Sequence, residues 1–164
     1  YTLIYFFLNP INMFSKYLKN QSKIILFNET IIYSENLMNQ VIESTIDQPR
    51  FRSFRHVLHV PLYSIVNDYS QLDETETQFA KHPWVHVDFL IYNKLDKEPI
   101  LVVEVDGYRY HAENKEQTKR DEIKDRVLYK IGLPILRIRT NESGEESKLI
   151  EALQKVISDS ASLN

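Results

Sequence analysis

The sequence predicts an α/β fold, a three-layer α-β-α sandwich around a central mixed β-sheet. Residues 85–93 and 100–106 alternate apolar side chains with the period of two that strands show. Stripes at helical spacing, such as Leu37, Met38, Val41, Ile42, Thr45 and Ile46, flank them in the chain. The order helix, strand, helix, strand, strand, helix, strand, helix suits helices packed on both faces of one sheet. With 164 residues, 43% of them hydrophobic, the chain can bury one core without a disulfide or metal staple.

Residues 1–33 are rich in Ile, Phe, Tyr and Asn without a clear period, and read as an N-terminal extension or the remnant of a preceding domain. The chain opens on Tyr1, which suggests a piece of a longer protein. The domain proper spans residues 34–160. Its first helix starts at Ser34 as N-cap and stops before Pro49. A strand over 54–60 ends at Pro61, and Asp73 with Glu76 has capping-box spacing for a short helix before Pro83. Two strands follow, over 85–93 and 100–106, joined by a turn at Leu95, Asp96 and Lys97. In the first, Val85, Val87, Phe89 and Ile91 are expected on one face. A helix of about 17 residues begins near Lys115, with Ile123, Val127, Leu128 and Ile131 at core spacing. Gly132 falls where a C′ glycine belongs. A strand over 134–140 and a last helix, capped by Ser143 with Glu146 and packed through Leu149, Ile150, Leu153, Val156 and Ile157, complete the domain.

Composition removes several classes of function. Without Cys there is no thiol nucleophile and no Cys-based zinc site. The three glycines, Gly107, Gly132 and Gly144, do not form a dinucleotide or nucleotide phosphate cradle. The apolar run over 2–8 is too short for a bilayer, and no signal peptide is evident, so a cytoplasmic protein without membrane contact is expected. The net charge is −3, but it is divided. Residues 61–106 carry nine Asp and Glu against three Lys, and residues 107–139 carry nine Lys and Arg against five acids. That division fits a solvated surface, and equally a metal site beside a polyanion track.

The acid positions favour the second reading. Asp88, Glu104 and Asp106 interrupt apolar strands, where Asp is disfavoured and an unpaired carboxylate is costly. Period two puts Glu104 and Asp106 on one face, and a hairpin brings Asp88 toward them. Gathered carboxylates need a cation, and oxygen-only ligands suit Mg²⁺ or Mn²⁺. Taken singly, Asp88 also reads as an edge acid and Asp106 as part of an Asp-Gly turn. Gln117, Lys119, Arg120 and Lys124 lie on the following helix, where they could reach phosphate or form a solvated face. His82 and His86 beside Asp88 make a poor zinc set. His56 and His59 read as ordinary strand residues, and Trp84 as a packed one.

The runs His86-Val-Asp88-Phe-Leu-Ile, Val103-Glu104-Val105-Asp106-Gly107-Tyr-Arg-Tyr-His111, Arg120-Asp121 and Gly132-Leu-Pro-Ile-Leu-Arg137-Ile-Arg139 resemble the PD-(D/E)xK nucleases. The nearer likeness is to the branch of very-short-patch-repair endonucleases, with similar domains at the C-terminus of bacterial superfamily I helicase-like proteins. The resemblance implies a restriction-endonuclease-like fold and Mg²⁺- or Mn²⁺-dependent cleavage of DNA, in a chain that also carries a helicase or ATPase region. It makes Asp88, Glu104 and the Val105 carbonyl metal ligands, with Glu35 in support. His111 and Asp106 match positions where that branch uses histidines, and both are candidate catalytic residues. Asp106 also stands where most of the superfamily has Lys, which leaves the general base unassigned. The alternative is the same fold without chemistry, binding DNA or a partner.

Overall fold

The computed structural model describes residues 33–106, 115–139 and 143–162. The chain divides between Ser34 and Glu35, and the unit Glu35–Asn164 carries the sheet. Helix α1 covers residues 33–46, followed by strand β1 (Phe54–Pro61), helix α2 (Glu74–Lys81), and strands β2 (His86–Asn93) and β3 (Pro99–Asp106). Helix α3 (Lys115–Lys130), strand β4 (Ile135–Arg139) and helix α4 (Glu145–Ser162) complete the order. The four strands lie in the order β1-β2-β3-β4. The first two pairings are antiparallel and β3 pairs β4 in parallel, so the sheet is mixed, as expected.

Two cores sandwich the sheet. On one face Met38, Ile42 and Ile46 of α1 and Leu149 and Leu153 of α4 pack on Phe89, Ile91, Leu101 and Val103. On the other, Ala80 of α2 and Val127 and Leu128 of α3 pack on Leu90 and Val102. Full burial of each of these Val, Leu, Ile, Phe and Met side chains contributes about 1.5–3 kcal/mol. No described helix is long and apolar enough to cross a membrane.

Helix ends show where local chemistry is legible. Asp73 and Glu76 form the capping box around α2, with bonds of 2.8 and 3.0 Å. Gly132 adopts φ +73° at the end of α3. Its N–H donates to Tyr129 and that of Leu133 donates to Leu128, the paired bonds of a Schellman motif. Two expected caps differ. Tyr33 is already helical, so Ser34 lies inside α1. At α4 the first helical bond ends on the Gly144 carbonyl, and the Glu146 carboxylate accepts from Gln48 at 3.3 Å. Gly144, with φ +86°, takes the cap position that Ser143 was expected to hold.

Glu76 also joins α2 to α3. Its carboxylate, 1% exposed, accepts from Lys130 at 2.6 Å and Arg126 at 3.2 Å under a thin cover of those two side chains. The Lys130 bond, then the Asp73 backbone N–H, hold its pKa down at about 2. A depressed pKa adds stability that is present above about 4.5 and lost as pH falls toward 2. Glu76→Gln should cost about 1–3 kcal/mol at pH 7, and the difference from the parent should shrink as pH falls through that window. Thermal melts from pH 7 to pH 3 test this.

One expectation about the sheet fails. Val85 and Val87 pack in the core under α2 and α3, whereas Phe89 and Ile91 pack in the opposite one. Residues two apart in a strand ordinarily share a face. Alternation therefore breaks at Asp88. The β1–β2 register runs Leu58↔Phe89 and then Val60↔Val87, skipping the His59–Asp88 pair, and His59 has φ +52°.

Candidate functional site

The β2–β3 ladder is the frame of the site. Its pairing closes at Phe89↔Val103, so the start of β2 and the end of β3 separate. The next β3 amide facing β2, that of Val105, donates to Asp88 Oδ2 at 2.8 Å. A side chain thus satisfies a backbone donor that the ladder leaves open. A residue's N–H and C=O face the same side of a strand, so the Val105 carbonyl opens toward the same gap.

Two further carboxylates from two other elements feel the charge of Asp88. Glu35 comes from α1, Asp88 from β2 and Glu104 from β3. Burial raises the Glu35 pKa, and the charge of Asp88 raises it further, offset by His59 and His86. Burial lifts that of Glu104 to about 7; Lys124 opposes the rise and Asp88 adds to it. Asp88 therefore acts electrostatically on both Glu35 and Glu104.

Helix α3 supplies its positive side. Gln117, Asp121, Lys124 and Leu128 follow one helical stripe, and Leu128 is fully buried. Lys124 consequently points inward, its side chain 12% exposed, and its Nζ donates to both Glu104 oxygens at 2.9 and 3.0 Å. Sequence reasoning groups Lys124 with phosphate-facing residues; its observed partner is the carboxylate. Gln117 donates to Asp121 at 3.0 Å, while Lys119 and Arg120 are exposed.

Asp106 has its own counter-charge. Arg137 of β4, the parallel neighbour of β3, donates to Asp106 at 3.0 Å and to Asp125 of α3 at 2.6 Å. Asp106 is thereby neutralised, and the lysine near the carboxylates arrives from α3. In the sequence Arg137 stands out only as part of a motif; its meeting with Asp106 comes from the parallel pairing of β3 and β4. His111 lies outside the described residues.

Two histidines join the site. His59 Nε2 stands 3.5 Å from Glu35 Oε2, and its ring meets that of His86 edge-on at 5.7 Å. His56 is the ordinary strand residue expected, bonded to Asn39 at 2.7 Å. Trp84 does not pack. It sits in the turn before β2 with its N–H on His82 Nδ1, and it is 79% exposed.

The donor set suits a hard divalent cation in chemistry. The charge of Asp88 raises the pKa of both Glu35 and Glu104, which a cation would offset, and all the acidic donors are oxygen. Their present spacing is not that of bound ligands. Among the described residues no three His, Asp or Glu groups are gathered to hold a metal, and Lys124 occupies both Glu104 oxygens.

No curated protein and no solved structure matches the chain. Residues 28–157, most of the chain and the whole of the site, match the family described as "Protein of unknown function (DUF2726)", and the chain belongs to that family.

Proposed function

We propose that this domain is a metal-dependent DNA endonuclease of the PD-(D/E)xK type, a module of a larger cytoplasmic helicase or repair protein. One observation carries the reading: Asp88 accepts the Val105 N–H where β2 and β3 part, its charge raises the pKa of both Glu35 and Glu104, and the Lys124 ammonium sits on Glu104. Asp88, Glu104 and the Val105 carbonyl would hold Mg²⁺ or Mn²⁺, with Glu35 binding directly or through water. Such an ion, when bound, supplies charge for the phosphoryl oxygens and an acidified water.

The chain's own groups do the rest. Lys124, released from Glu104, orients the attacking water or faces the developing phosphoryl charge. Lys119 and Arg120, exposed one turn outward, hold flanking phosphates. Arg137 keeps Asp106 from adding a free charge beside the substrate. Reversing Lys119 and Arg120 to Glu should weaken DNA binding and lower the salt slope by about two. An unchanged slope would return them to the solvated face.

A second reading is an inactive DNA- or partner-binding module. Asp106 tied to Arg137, where the resemblance expects Lys, favours it. The two separate on end-labelled DNA incubated with Mg²⁺ or Mn²⁺. Cleavage that EDTA stops supports the nuclease. Binding without cleavage, in the full-length chain as well as this domain, supports the module.

A further inference from the structure

His59 is strained in a place where a fold has no need of strain. Among the described residues only His59 and Lys97 are non-glycine residues with positive φ, and Lys97 belongs to the turn between β2 and β3. His59 lies inside strand β1. Gly takes the left-handed region without the Cβ cost that His carries. Its side chain is 53% exposed, so core packing does not compensate the strain. What it does contact is the site: Glu35 at 3.5 Å and the His86 ring at 5.7 Å.

The residue opposite His59 across the sheet, left unpaired with it, is Asp88. The skipped His59–Asp88 pair lies between two regular pairs with no change of register, so the irregularity is confined to these two residues. On the β2 side its result is the reversal of face between Val87 and Phe89. A regular strand would put Asp88 on the face opposite Phe89. At the break it is instead free to turn toward the amide of Val105, where its charge acts on both Glu35 and Glu104.

We infer that His59 is a positioning residue: its left-handed backbone opens the β1–β2 ladder at Asp88, and its imidazole holds Glu35 against the same site. Strain at an observed outlier is retained where it serves a site, and second-layer groups that orient ligands govern metal affinity. The inference rests on the cation site proposed above and adds to it the device that assembles it.

The test is calorimetric titration of Mn²⁺ into the 164-residue chain with parallel thermal melts, so it needs no cleavage. Asp88→Asn is the reference for the site itself. His59→Gly keeps the left-handed backbone and removes the imidazole. It should leave Tm unchanged or raise it, yet weaken Mn²⁺ binding about tenfold or more. His59→Asn tolerates the same φ and offers an amide to Glu35, so it should bind close to the parent. His59→Val, which resists positive φ, should lose both affinity and stability. Parent-like affinity in His59→Gly, with Asp88→Asn impaired, would make His59 a structural residue and overturn this inference alone. No Mn²⁺ binding by the parent, or parent-like binding by Asp88→Asn, would overturn the cation site and the inference with it.

Discussion

Asp88→Asn and Glu104→Gln should each reduce divalent-metal-dependent DNA cleavage by at least about 10²–10³-fold, while metal-free DNA affinity stays equal or tightens. Both are isosteric. In Asp88→Asn the amide oxygen of the new side chain can still accept the Val105 N–H, so the 2.8 Å bond that ties β2 to β3 has a successor and the fold is kept. What each removes is one negative charge facing phosphate and one ligand. Loss of affinity in step with activity would instead mean that the acids support the binding surface. Glu104→Gln carries a second signature. The folded Glu104 pKa, about 7, lies above its ordinary 4.5, so the folded state holds that proton better than the unfolded chain. The associated stability is fully present below about 4.5 and is lost as pH rises through about 7. It amounts to about 3 kcal/mol at most. The variant should flatten the parent's decline in Tm between pH 5 and 8.

Lys124→Met should lower cleavage by about 10²–10⁴-fold and move its pH profile upward. Lys124 restrains the Glu104 pKa against burial and Asp88, so without it Glu104 holds its proton to higher pH. Cation binding, which needs the ionised carboxylate, would then begin at higher pH. Pre-steady-state cleavage rates from pH 6 to 9 with Mn²⁺ measure both effects. A drop in rate with the pH midpoint unmoved would assign Lys124 to the substrate alone. No drop would remove it from the site.

The sheet, the order of its elements and the paired helix layers are legible in the sequence because period-two and period-3.6 patterns are backbone properties. The carboxylates are legible for a related reason: Asp88 and Glu104 are costly in apolar strands, and a residue that violates its surroundings stands out. Lys124 is visible as a basic helical residue, but its inward turn depends on how Val127 and Leu128 seat α3 on the sheet. The neutralisation of Asp106 depends on the parallel placement of β4, which spacing along the chain does not encode. His59 is the hardest to see. A histidine in a strand carries no mark of positive φ, and the broken alternation at Asp88 contradicts the very period used to find the strand. Trp84 departs from the packed role its size suggests because its turn decides its exposure.

The most direct measurement is Mn²⁺ anomalous diffraction from crystals of this domain soaked at pH 8, above the Glu104 pKa of about 7. The expected result is one peak about 2.1–2.3 Å from carboxylate oxygens of both Asp88 and Glu104, with the Lys124 ammonium moved off Glu104. A soaked crystal with Lys124 still on both Glu104 oxygens and no peak within reach of Asp88 would contradict the cation site.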